Sequence, residues 1–86
     1  TGVLIDRYGG PGGDFTAPKG TPYKMRSLPY YKNQNVYHVY RVIKPIENVE
    51  AGRIAPAFGE PGGGIQYKLP APIEKLLGEY LEEVTQ

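Results

Sequence analysis

A chain of 86 residues has room for one domain, because independent folding units rarely fall below about 50 residues and most often run to about 100–150. A core this small hides only about 60–65% of the surface exposed by the unfolded chain, so a large ligand has to lie in a surface cleft. Hydrophobic residues at 40% argue against a disordered tail, and 22% charge without a long apolar run argues against a membrane-spanning helix; zero cysteines and one histidine exclude disulfides, thiolate nucleophiles, zinc ribbons and a histidine-built metal centre.

Net charge is +1, but it is unevenly spread: residues 1–68 hold nine Lys and Arg against five Asp and Glu, residues 69–86 one against four. The basic excess of the body is too small for a nucleic-acid backbone binder, which gathers Lys and Arg along one face, and it suits a small anionic ligand. Gly 12 and Pro 9 make the chain turn-rich, and Tyr 8 with Phe 2 supply the aromatic surface of a packed, β-containing fold. The chain opens at Thr1 without Met or a basic-then-apolar leader, which reads as a piece of a longer polypeptide.

Residues 3–5, followed by Asp6, Arg7 and Tyr8, predict a short strand that runs into a loop at the glycine cluster 9–13. Residues 14–29 carry Pro18, Gly20, Pro22 and Pro29 and little periodicity, which predicts irregular chain with one helical turn near residues 23–26. Residues 36–43 are the strongest strand, β-branched and aromatic on both faces, and predict a central strand covered on two sides. Residues 47–51 and 53–55 predict two short edge strands separated by Gly52 and ended by Pro56. After glycines 62–64, Ile65, Tyr67 and Leu69 alternate with Gln66 and Lys68, which puts Gln66 opposite the core face. Pro70 and Pro72 open a short helix whose apolar stripe is Ile73, Leu76 and Leu77, with Gly78 as its stop and a closing strand at residues 79–84. The fold class is α+β, mainly β: a small antiparallel sheet core with one or two short helices.

Few residues are suited to acid–base chemistry. A serine-based triad would need Ser27 and His38, the only residues of their kind, and His38 sits inside the best strand, where a hydrogen-bonded structural role is the plainer reading. Asp6, Asp14, Glu50 and Glu60 offer carboxylates, but their spacing singles out no pair, and Glu79, Glu82 and Glu83 read as a solvated face. The stretch Gly10-Pro11-Gly12-Gly13-Asp14-Phe15 lacks the last glycine of a dinucleotide fingerprint, and no helix pattern follows it. What stands out is Arg7 after the first strand, Arg26 before Ser27, and Phe58 and Gln66 on either side of the second glycine run. Guanidinium groups grip pyrophosphate through paired hydrogen bonds, aromatic faces stack on heteroaromatic rings, and glycine lets backbone come close to a ligand. Spacing alone favours the plainer reading of surface arginines, a core phenylalanine and a backbone-paired glutamine.

The string Arg53-Ile54-Ala55-Pro56-Ala57-Phe58-Gly59-Glu60-Pro61-Gly62-Gly63-Gly64-Ile65-Gln66-Tyr67 resembles the signature of the tuberculosis necrotizing toxin family, as do Asp6-Arg7-Tyr8-Gly9 and Arg26-Ser27-Leu28-Pro29. Tyr37 to Tyr40 leading into Val42-Ile43-Lys44-Pro45, and Leu76-Leu77-Gly78-Glu79-Tyr80-Leu81, keep the same order, so the resemblance covers nearly the whole chain. It implies a single toxin module over residues 1–86, the C-terminal part of a longer polypeptide, with a mainly β fold related to ADP-ribosyltransferases. It further implies a secreted, polymorphic-type toxin acting in the cytosol of a target cell, where it hydrolyses NAD+ or NADP+ to nicotinamide and ADP-ribose or its phosphate. No cofactor or metal is implied; a cognate immunity protein is, and neither nucleic acid nor membrane is a partner. By the resemblance, Gln66 is the essential glutamine, Arg7 and Arg26 are the substrate-gripping arginines, Tyr8 and Phe58 line the nicotinamide side, and Gly62, Gly63 and Gly64 allow close approach. The chain is shorter than some relatives, which puts part of a cleft wall in question.

Physical chemistry is compatible with these roles. Nicotinamide leaves NAD+ as a neutral molecule, so its glycosidic bond needs no general acid. What it needs is grip on the pyrophosphate, a pocket for the ring, stabilisation of oxocarbenium character and a placed water. Gln66 does not titrate and would hold a hydroxyl or water through its amide. On this reading, loss of Arg26 weakens substrate binding more than the fold. Two alternatives remain open: an ADP-ribosyltransferase modifying a macromolecule, with Glu60 as acceptor-activating residue, and a non-catalytic Tyr/Pro-rich peptide-binding module.

Overall fold

The computed structural model describes residues 2–27 and 37–84. The strands are β1 (Leu4–Tyr8), β2 (Phe15–Pro18), β3 (Tyr37–Val42), β4 (Glu50–Arg53), β5 (Ile65–Lys68) and β6 (Leu81–Val84), with a 3-10 turn at Tyr23–Arg26 and the single-turn helix α1 (Ile73–Leu76). They form one antiparallel sheet in the order β4-β5-β2-β1-β3-β6. The mainly β expectation holds, as do the helical turn at residues 23–26 and the closing strand. The end of the stretch read as irregular, residues 28–29, and the first residue of the strand expected at residues 36–43 lie outside the described residues.

Register sorts the side chains onto two faces. Ile5 pairs with Tyr40 and Val42 with Leu81, and these residues meet Leu69, Ile73 and Leu76 in the apolar core beneath α1. One residue along, Asp6 pairs with Val39 on one side and Ala17 on the other, so the opposite face carries a buried carboxylate among small and apolar neighbours. Val39 and Tyr40 are consecutive and both buried, so β3 is covered on two sides there, although it lies one strand in from the sheet end and not at its middle.

Three expectations are corrected. Residues 15–18, read as irregular, form β2, held by pairing with both β1 and β5. Two edge strands around Gly52 are one strand, β4, which pairs with β5 straight through Gly52↔Gln66; its edge position was foreseen. Leu77 leaves the helix in an extended conformation and is exposed, so only Ile73 and Leu76 of the expected stripe reach the core. Gly78 follows at φ 93°, the left-handed corner at which an L side chain is strained.

The two glycine clusters are fastened to the framework. The carbonyls of Gly13 and Pro11 accept from the amides of Ile73 and Glu74 (3.0 and 2.9 Å), so the first loop satisfies the start of α1 in place of a capping side chain. In the second, Gly62 and Gly64 donate to the carbonyls of Lys24 and Met25 (3.3 and 3.1 Å), and Gly63 donates to Ile54 (2.8 Å). A Cβ at Gly62 would stand 2.7 Å from the Ile54 carbonyl oxygen, and one at Gly64 2.9 Å from that of Met25. Glycine is therefore required because this protein's own backbone passes so close.

Candidate functional site

The second glycine cluster presses the 3-10 turn against the start of β5, and this brings Arg26 and Gln66 to one place. There, on the sheet face away from α1, a cleft is lined by Arg7, Tyr8, Phe15, Thr16, Ala17, Arg26, Ile54 and Gln66. Four of the expected site residues, Arg7, Tyr8, Arg26 and Gln66, are thus gathered from β1, the 3-10 turn and β5. The alternation that turns Tyr67 toward the core leaves Gln66 in the cleft, as its period-two pattern predicts. The cleft holds about 50 Å³, well below the about 300 Å³ at which pockets for drug-sized ligands begin. It fits a ring edge or a phosphate, and a dinucleotide would extend over the open surface beyond it.

Arg7 is held by the first glycine loop. Its Nε donates to the Gly10 carbonyl (2.8 Å) and its Nη1 to that of Phe15 (3.0 Å). Gly9 and Gly13 leave the space its guanidinium fills: a Cβ on Gly9 would stand 2.9 Å from Nη2, and one on Gly13 2.8 Å from Nη1 and closer still to Nη2 and Cζ.

Arg26 is a different kind of arginine. It is 7% exposed, its Nε donates to the Thr21 carbonyl (2.9 Å), and its guanidinium carbon lies 4.8 Å from the Tyr8 ring centroid. Its Nη2 stands 2.6 Å from Asp6 Oδ1, an ionic contact in which neither atom gains a directed hydrogen bond. The Tyr8 ring packs edge-on against Tyr23 and tilted against Tyr37, both at 4.8 Å between centroids. Burial, then the hydrogen bond to Asp6, pushes the Tyr37 phenol from its usual 10.0 up to about 12.

The other expected residues lie elsewhere. Phe58 is 67% exposed on the tight turn closed by the mutual backbone bonds of Ala57 and Glu60, and it does not line the cleft. Gly62, Gly63 and Gly64 face this protein's backbone or open space and are absent from the lining. Ser27 donates to the Ala55 carbonyl (2.5 Å), while His38 meets Glu83 across β3 and β6 (Nδ1 to Oε2, 2.7 Å). Neither lines the cleft, and each has a structural partner of its own. Phe15, at 45% exposed, is the cleft aromatic that reading the sequence missed. It carries no local signal, because its place depends on β2 inserting between β1 and β5.

The Tuberculosis necrotizing toxin family profile matches residues 1–84. Over 74 residues the chain is 45% identical to the conidial surface nicotinamide adenine dinucleotide glycohydrolase nadA of Aspergillus fumigatus, covering 77% of this chain and 31% of that protein. The solved structure of tuberculosis necrotizing toxin complexed with its immunity factor superposes with a TM-score of 0.77 at 26% identity, covering 93% of this chain and 47% of that one. The chain spans about a third of the curated relative's length and about half of the solved toxin's. The family profile runs across almost every residue that builds the sheet and its cleft, and on that ground the chain belongs to the tuberculosis necrotizing toxin family.

Proposed function

We propose that this domain hydrolyses the nicotinamide–ribose bond of NAD+ or NADP+, releasing nicotinamide and ADP-ribose or its phosphate. The observation that carries the reading is the meeting of Arg7, Arg26 and Gln66 in one cleft walled by Tyr8 and Phe15, with no carboxylate among the lining residues. Two fixed cations suit the pyrophosphate, the aromatic walls suit the ring, and the Gln66 amide is placed to hold a ribose hydroxyl or the attacking water. A neutral leaving group needs no proton, so the lack of a lining acid does not obstruct this chemistry. The Aspergillus relative, named as a glycohydrolase of the same dinucleotide, supports the substrate class.

In this reading Arg7, Arg26 and Gln66 act on the substrate, Tyr8 and Phe15 flank it, and Phe58 with Gly62, Gly63 and Gly64 serve at one remove or not at all. A transferase would require an acceptor-activating carboxylate at the cleft, and Glu60 sits on the turn that carries Phe58 instead. The domain is then a secreted toxin that acts in the cytosol of a target cell and is neutralised by a cognate immunity protein; the conidial surface location in the Aspergillus relative's name supports secretion, and the toxin–immunity factor complex supports neutralisation. Among the described residues no helix is long and apolar enough to cross a membrane. The deciding experiment incubates the purified domain with NAD+ or NADP+ labelled in the adenosine half, once alone and once with cell lysate as acceptor, and measures free nicotinamide and label bound to protein. Release with equimolar ADP-ribose supports hydrolysis; label transferred to protein, or an intact dinucleotide after prolonged incubation, overturns it.

A further inference from the structure

Asp6 is a charge in contact with the cleft residue Arg26 that does not itself line the cleft. Its side chain is 0% exposed, and it is absent from the cleft lining. Burying a carboxylate is strongly unfavourable unless partners replace its water. Here three separate segments supply them. Gly20, in the loop after β2, donates its amide to Oδ2 (2.9 Å); the Tyr37 hydroxyl, at the start of β3, donates to the same oxygen (2.6 Å); and Arg26 lies against Oδ1 (2.6 Å).

An apolar residue of similar size would fill the space between Ala17 and Val39 at less electrostatic cost, so packing alone does not account for a carboxylate there. What the carboxylate adds is a fixed counter-charge behind the guanidinium. Arg26 is held by Thr21 at Nε and by Asp6 at Nη2, and its face lies over Tyr8, whose ring is backed by Tyr37. The fork is thereby fixed from behind, and Arg26 is among the residues that line the cleft.

Resting on the proposed glycohydrolase reading, we propose that Asp6 is a positioning residue, locked by Tyr37 and Gly20, that aims the Arg26 guanidinium at the anionic part of the dinucleotide. It touches no substrate and acts only through Arg26. A charge at such a site gains its effect by being held before substrate arrives, because an unconstrained arginine loses rotamer freedom on binding.

The test compares Asp6→Asn, which keeps the shape and removes the charge, with Tyr37→Phe, which keeps the charge and removes one lock. Two readouts are taken on each: kcat/KM for NAD+, and the hydrogen-exchange rates of the Arg26 and Arg7 Nε–H signals in nitrogen-15 spectra. We expect Asp6→Asn to lower kcat/KM by about tenfold or more, the order set by losing a charge-assisted contact, and to speed exchange at Arg26 while Arg7 exchanges as before. Tyr37→Phe changes both in the same direction by less, and it decides the matter if Asp6→Asn fails to fold. Equal acceleration at Arg7 and Arg26 means general loosening and overturns the proposal, as does an unchanged Arg26 signal or an unchanged kcat/KM. A wild-type domain that releases no nicotinamide sinks the glycohydrolase reading, while the exchange comparison still decides whether Asp6 holds Arg26.

Discussion

Gly13→Ala will disable the cleft without unfolding the domain. The added methyl carbon would stand 2.8 Å from Arg7 Nη1 and nearer to Nη2 and Cζ, where carbon and nitrogen ordinarily keep about 3.5–4.0 Å apart, so the guanidinium has to retreat by roughly an ångström or more. It can do so cheaply, because it is the free end of a flexible side chain, and Gly13 does not occupy the left-handed region in which alanine is strained. The retreat breaks the bonds from Nε to Gly10 and from Nη1 to Phe15. If Arg7 grips a phosphate, losing that charge-assisted contact costs about 1.5–3 kcal/mol, or about 10- to 150-fold in kcat/KM. Nicotinamide release and a melting curve, measured beside Gly12→Ala, make the assay; a Cβ at Gly12 meets nothing within 4 Å. A Gly13→Ala domain with the kcat/KM of Gly12→Ala would refute the claim that the first glycine loop exists to seat Arg7.

Gln66→Ala is expected to abolish nicotinamide release while the circular dichroism spectrum stays native; full activity would remove Gln66 from the reaction. Arg26→Ala, expected from sequence to weaken binding more than folding, is now expected to do both. It strands the fully buried Asp6, and breaking a buried pair on one side costs about 3–5 kcal/mol, which urea unfolding would register. Raising the pH from 10 toward 12 is expected to lower stability through Tyr37. Its phenol is held protonated up to about 12 in the fold, so its contribution is complete below the unfolded value and lost as pH climbs through the folded one. The Tyr37→Phe domain will lack that part of the decline, and identical pH profiles for the two proteins would contradict it. Ile73→Ala, at the fully buried centre of the core, is expected to cost about 2–5 kcal/mol in urea unfolding, and a loss under about 1 kcal/mol would show that α1 does not anchor the sheet.

Local pattern was enough wherever a segment carries its own signal. The β-branched and aromatic run of β3, the alternation of β5, the paired prolines before α1 and the 3-10 turn at Tyr23–Arg26 all follow from neighbours within a few residues. The motif order that marks the family was legible as well, and four of the residues it singles out, Arg7, Tyr8, Arg26 and Gln66, line one cleft. Tertiary structure decided what depends on distant partners. β2 has four residues, ends in Pro18 and has no strong periodicity of its own; it is a strand because β1 and β5 pair with it from either side, and only that pairing puts Phe15 in the cleft. Glycines 62–64 were expected to allow close approach of the substrate, and only the tertiary structure shows their amides tied to the carbonyls of Lys24, Ile54 and Met25. Asp6 and Arg26 lie twenty positions apart, with nothing between them to announce a pair. Burial made that pair, because a carboxylate taken out of water inside a sheet must find its cation wherever the fold brings one.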